Sequence, residues 1–187
     1  MPGRSTPSRS DGRWGWHQLD EGWAARLVAL AGVSPGDLVL DVGAGSGVIT
    51  AELLRAGAHV VAIELHEQRL AILHERFADR RVTVVRADAT DLRLPRRPFK
   101  VVANPPFGAI TAVLRRLTTP SSRLERASLV LPVWAAARWA SGRGGGGPRS
   151  REAFECSLGP RVPARALRPP PPHEPRVLLV RRRPPWR

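Results

Sequence analysis

The 187-residue sequence predicts a doubly wound α/β domain with a mainly parallel sheet, on three observations. From Leu38 onward short, Val-rich apolar runs alternate with amphipathic stretches, the pattern of buried parallel strands separated by covering helices. Glycines at 43, 45 and 47 lie between the first such run and the first such helix. The polar residues that break the pattern, Asp41, Glu64, Asp88 and Asn104, fall at or just past the carboxyl ends of the runs, where open α/β sheets bind ligands.

Each element follows in order. Residues 1–13, MPGRSTPSRSDGR, are rich in Ser, Pro, Gly and Arg without hydrophobic periodicity and predict a disordered basic arm. After WGWHQL, the residues Trp23, Leu27, Val28 and Leu30 recur at helical spacing until Ser34-Pro35-Gly36 ends the pattern. LVLDVG then predicts a strand, SGVITAELLRAG a helix, HVVAIEL a strand, EQRLAILHERF a helix, VTVVRAD a third strand and KVVANP a fourth. AITAVLRRLT predicts a helix, ASLVLP a fifth strand and VWAAARWA another helix, followed by SGRGGGGPRS as a flexible loop. EAFECSL and RVLLVRRR predict two closing strands separated by the proline run 168–172. The expected organisation is one catalytic domain over 14–183, a basic tail at 184–187, and no further helical domain.

The formal charge of +14 favours polyanionic partners through phosphate neutralisation and counterion release, and nucleic acid is the expected one. Lys100 is the only lysine, so the charge is almost wholly guanidinium. The lone Cys156 excludes an intrachain disulfide and reads as a small core residue. The N-terminus has no apolar h-region, and the run LVLPVWAAARWA is broken by Pro132 and Arg138, so a cytoplasmic protein without a membrane span, and a monomer, is expected. His59, His66, His74 and His173 have no metal-ligand spacing with Cys156, and no metal is expected. Trp14 and Trp16 are placed for stacking, Trp23, Trp134 and Trp139 for core packing, and Trp186 in the loose tail.

DVGAGSG, residues 41–47, lets the backbone pass close to a ligand at a helix start, as in Rossmann-like folds. Glu64 at the next strand end suits ribose hydroxyls, and Asp88 an adenine amino group, with Asp91 as a cap or surface charge. NAD and S-adenosylmethionine both meet that description. The stretch Asn104-Pro105-Pro106-Phe107 separates them. An exocyclic amine is a poor nucleophile because its lone pair is delocalised into its ring. The Asn104 side-chain oxygen and the Pro105 carbonyl can accept its two N–H groups, while the prolines limit the turn's conformations and Phe107 offers a stacking face.

With DVGAGSG, Glu64, Asp88 and NPPF in that order, the sequence resembles the S-adenosylmethionine-dependent adenine N6-methyltransferases of ribosomal RNA, most of all the Erm type, over residues 14–132. The resemblance implies the methyltransferase fold with S-adenosylmethionine as cofactor. It implies that His17 and Leu19 meet the cofactor's methionine end together with Gly43 and Gly45, Glu64 the ribose, Asp88 and Ala89 the adenine, and Asn104 the junction with the target. Asn104, Pro105 and Phe107 would be the catalytic group, with Phe107 stacking on the flipped base. Arg13 and the arginines Arg181, Arg182 and Arg183 would contact RNA phosphates.

The sequence departs from that pattern at Trp16-His17-Gln18, and in ALRPPPPHEP, which offers only Leu167 and Arg168 as a second pocket wall. The expected substrate is an adenine of 23S rRNA, free or in a ribosomal assembly intermediate, with macrolide, lincosamide and streptogramin B resistance as the phenotype. The alternatives are a small-subunit rRNA adenine dimethyltransferase, a protein glutamine N5-methyltransferase and an inactive RNA-binding homologue.

Overall fold

The computed structural model describes residues 17–78 and 81–184. The expectations for the arm, Arg13, Trp14, Trp16 and Trp186 lie outside the described residues. In chain order the elements are β1 (Gln18–Leu19), α1 (Glu21–Leu30), β2 (Leu38–Val42), α2 (Val48–Arg55), β3 (His59–Glu64), α3 (Glu67–Arg76), β4 (Val82–Arg86), β5 (Phe99–Ala103), α4 (Ile110–Leu117), β6 (Leu124–Leu131), α5 (Val133–Ala140), α6 (Pro148–Ala153), β7 (Phe154–Arg161), β8 (Leu167–Arg168) and β9 (Arg176–Arg182). The main sheet has seven strands in the order β4-β3-β2-β5-β6-β9-β7. The first five are mutually parallel, and β9 and β7 close the sheet antiparallel.

The local sequence accounts for the elements. In β2 four consecutive residues, Val39 to Val42, are buried, as expected for a central strand covered on both faces. In α4, Ile110, Val113, Leu114 and Leu117 are the buried residues, a single apolar stripe at helical spacing. Asp20 caps α1 by accepting from the Trp23 backbone N–H at 2.8 Å. One core cluster forms beneath α4 and α5 and includes Phe99, Val101 and Leu129, a second forms beneath α1 and α2 around Leu27, Val39 and Leu53, and a small third joins Ala44, Ala62, Leu73 and Phe77.

Strand order reverses between β2 and β5, and the crevice at that switch point lies at the carboxyl ends of these strands, where DVGAGSG and NPPF meet. Gly47, with φ of 82°, starts α2. A Cβ there would lie 2.5 Å from the Phe77 ring and 2.9 Å from Leu73, so this third glycine lets α2 sit against the end of α3.

Several expectations change. The segment expected as a loop over 141–150 contains the start of α6, and Gly144 packs on the Trp139 ring so closely that a Cβ would be 2.2 Å from it. Trp139 is buried, but Trp134 on the first turn of α5 is 68% exposed rather than packed, because α5 turns only Ala135, Ala136 and Trp139 toward the sheet. Trp23 is half-buried beneath the Arg26 guanidinium, 4.8 Å from the ring centroid. Cys156 sits at the margin of the core, and burial pushes its thiol up to about 11. Among the described residues no helix is long and apolar enough to cross a membrane, and no cluster of His, Cys, Asp and Glu could hold a metal.

The register also relocates the C-terminal arginines. Arg181 lies opposite Arg126, which pairs with Lys100 near the start of β5. Asn104 follows the other end of β5, roughly 13 Å farther along the strand direction. Arg181, Arg182 and Arg183 therefore lie at the end of the sheet away from NPPF. Arg182 donates to the carbonyls of Leu124 and Ser122 and lies over the Phe154 ring, so its guanidinium is occupied within the protein.

Candidate active site

Three segments far apart in sequence meet at the crevice. The glycine turn leaves β2, and both Gly43 and Ala44 donate backbone N–H groups to the Ile63 carbonyl at 2.8 and 3.0 Å. Gly43 has φ of 75°, and a Cβ there would stand 3.0 Å from Pro106 Cδ. The glycine turn and the NPPF turn are thus in contact through the one residue type that permits it.

The third segment is the N-terminal one. β1 pairs antiparallel with β8, Gln18 opposite Arg168 and Leu19 opposite Leu167. This small ladder carries His17 to the crevice. His17 Nδ1–H donates to the Pro169 carbonyl at 2.6 Å, a direction required because a carbonyl can only accept. The His17 backbone carbonyl accepts in turn from Asn104 Nδ2 at 2.6 Å. That bond orients the Asn104 carboxamide, turning its Oδ1 away from His17 as a free-standing acceptor direction. The His17 ring lies 5.5 Å from the Phe107 ring at 39°. A base sandwiched between two rings needs roughly 7 Å between them, so His17 buttresses Phe107 and is not the second wall. Leu167 is buried in the core and also unavailable, while Arg168 is exposed.

The carboxylates divide the work. Glu64 is 4% exposed, and its Oε2 accepts from Gly45 N at 2.9 Å while Oε1 accepts from the backbone N–H groups of Leu65 and His66 at 2.9 and 3.0 Å. Three of about four acceptor positions are used, which fixes the carboxylate and leaves one direction for a ligand hydroxyl. Asp88, expected to leave capping to Asp91, is itself the cap of a 3-10 turn over Ala89–Asp91. Its Oδ1 accepts from Thr90 N at 2.7 Å and Thr90 Oγ1 at 2.8 Å, and these bonds hold its carboxyl below the usual range. Ala89 is buried beneath it.

Asp41 is fully buried, and its Oδ2 accepts from Thr50 Oγ1 at 2.6 Å. Removal from water pushes its carboxyl up to about 7, against the Thr50 hydroxyl and with help from nearby Glu64. The folded protein thus holds this proton more tightly than the unfolded chain. The resulting stability is fully present below about pH 4 and is lost as pH rises toward 7, with a ceiling of about 4 kcal/mol. Asp41→Asn should flatten that slope. Denaturant midpoints measured from pH 4.5 to 8 test this, and identical slopes for the two proteins would refute it.

His17, Leu19, Gly43, Gly45 and Asn104, all singled out from the sequence, line one cleft, together with Ser46, Val48 and Ile49. Ser46 Oγ and Asp41 Oδ1 are buried without a hydrogen-bond partner among the described residues. Among the described residues no Arg or Lys lines this cleft, and the Glu64 carboxylate stands behind it on Gly45 N. Such a site suits a ligand with hydroxyls and a cationic centre better than an anionic pyrophosphate. S-adenosylmethionine carries both. The role of Pro169 had no sequence signal, since only the non-local β1–β8 pairing brings it to His17.

A family profile described as "Methyltransferase domain" matches residues 39–118. Ribosomal RNA small subunit methyltransferase A of Gloeobacter violaceus is 33% identical over 183 residues, covering 92% of this chain and 67% of the relative. The chain belongs to the ribosomal RNA adenine N6-methyltransferase family. Mycinamicin-resistance protein MyrB of Micromonospora griseorubida is 33% identical over 168 residues, covering 88% of this chain and 53% of the relative. The crystal structure of the 23S rRNA methyltransferase ErmE superposes with a TM-score of 0.78 at 25% identity, covering 88% of this chain and 69% of that one. The chain spans little more than half the length of several of the curated relatives it matches.

Proposed function

We propose that this protein methylates the N6 amine of an unpaired adenine in 23S rRNA and so confers macrolide, lincosamide and streptogramin B resistance. The observation that carries the reading is the contact between the glycine turn and NPPF, with the Asn104 carboxamide held by the His17 carbonyl. His17, Leu19, Gly43 and Gly45 would hold the methionine end of S-adenosylmethionine, Glu64 the ribose and Asp88 with Ala89 the adenine. The cofactor, when bound, supplies an electrophilic methyl group on a sulfonium.

The protein's own residues supply alignment. Asn104 Oδ1 and the Pro105 carbonyl accept the two N–H groups of the target amine and favour its pyramidal, nucleophilic form. Pro105 is buried and Pro106 abuts Gly43, so the turn cannot drift relative to the glycine loop. Phe107, half-buried and braced by His17, stacks on the adenine, which must leave its own stack at a cost of a few kcal/mol. The surplus proton leaves the methylated amine to water, and no strong general base is required.

Similarity to ErmE and to MyrB supports 23S rRNA and resistance. Similarity to the small-subunit methyltransferase of Gloeobacter violaceus favours a second reading, dimethylation of an adenine in small-subunit rRNA. Mass spectrometric mapping of both rRNAs, as naked transcripts and as assembly particles, tests the proposal. N6-methylated adenine in 23S rRNA with raised macrolide tolerance is the expected result. Methyl groups confined to small-subunit rRNA would establish the second reading, and incorporation into protein would overturn both.

A further inference from the structure

A group of arginines lies away from the catalytic end. At the amino ends of the central strands, the segment before β5, the end of α4 and the turn before β6 bring Arg96, Arg116 and Arg123 around a groove of about 410 Å³. Thr119, Ser121 and Ser122 complete its polar wall, and no carboxylate lines it. Among the described residues the ion pairs are Arg55 with Glu52 and Lys100 with Asp37, so none of the three guanidiniums is neutralised. Arg116 donates Nε–H to the Leu92 carbonyl at 2.9 Å, which fixes its side chain and spares its two terminal amino groups. Arg182 stiffens the far wall through the Ser122 and Leu124 carbonyls. Arg93 and Arg97 are exposed in the same segment as Arg96.

Guanidiniums with hydroxyl donors beside them and no counter-charge match phosphate oxygens. The groove and Asn104 stand at opposite ends of β5, whose five residues span about 17 Å. A phosphate in the groove would therefore stand at least about 17 Å from an adenine in the catalytic pocket.

We infer that this groove binds the phosphodiester backbone of an RNA segment outside the target loop, as a second contact with the substrate. The inference rests on the proposed RNA substrate and adds a site remote from the chemistry. Two RNAs test it: a long rRNA transcript containing the methylated adenine, and a short hairpin carrying the target loop alone. Arg96→Ala with Arg123→Ala spares the Arg116 bond to Leu92. This variant should bind the long transcript about tenfold more weakly at 0.1 M salt, with the slope of log K against log salt reduced by about 1.5. Its hairpin affinity, melting temperature and cofactor affinity should match the wild type. Arg96→Gln with Arg123→Gln should behave alike if the alanine variant folds poorly. Unchanged affinity for the long transcript, or an equal loss on both RNAs, overturns the inference alone. An equal loss from Arg26→Ala with Arg81→Ala would assign the effect to net charge and overturn it too. A wild-type chain that binds neither RNA overturns both the inference and the proposed function.

Discussion

Asn104→Ala is expected to lower the methyl-transfer rate by roughly 10³-fold or more while S-adenosylmethionine affinity changes only a few-fold. Among the described residues the side chain donates to the His17 carbonyl, and its removal leaves that carbonyl without this donor at a cost of about 1 kcal/mol in stability. The loss in rate should be far larger, because in the proposed mechanism Oδ1 is one of two acceptors that make the target amine nucleophilic. Asn104→Asp separates the two contributions. It keeps an acceptor toward the amine but faces the His17 carbonyl with a second acceptor, so it should retain part of the rate and lose stability. Single-turnover transfer of labelled methyl, with calorimetric cofactor binding alongside, provides the measurement. An alanine variant with wild-type turnover would remove the mechanism proposed for NPPF.

Glu64→Gln should weaken S-adenosylmethionine binding by about 10- to 100-fold and lower the melting temperature. The wild-type carboxylate accepts from Gly45, Leu65 and His66, so it ties the glycine turn to the start of α3 from a buried position. The amide keeps one acceptor oxygen and turns an NH2 group toward a backbone N–H, and each lost charge-assisted bond is worth about 1.5–3 kcal/mol. Calorimetric titration with the cofactor checks this. Unchanged affinity with a lowered melting temperature would restrict Glu64 to supporting the loop.

Much of the site was legible because its residues sit at strand ends, and strand ends are set by local pattern. Val-rich runs placed Asp41, Glu64, Asp88 and Asn104 at one edge of a parallel sheet before any tertiary contact was known. Capping was harder to assign. Asp88 and Asp91 look alike in sequence, and only the 3-10 turn between them makes Asp88 the cap. Trp134 and Trp139 share one helical pattern, yet the rotation of α5 on the sheet buries one and exposes the other.

The C-terminal arginines show the same limit at larger scale. RVLLVRRR reads as a strand with a basic end, and its composition carries no direction. Antiparallel pairing with β6 sends that end away from the catalytic pocket and gives the Arg182 guanidinium to backbone carbonyls. Local sequence is enough for the α/β alternation, the glycine turn, the NPPF turn and the order in which they occur, because each depends on residues within one or two turns of chain. Only the tertiary structure decided that His17 braces Phe107 and orients Asn104, that Gly43 meets Pro106, and that Arg96, Arg116 and Arg123 share a groove. Those contacts join segments separated by long stretches of chain, and strand order and direction, which no local pattern encodes, bring them together.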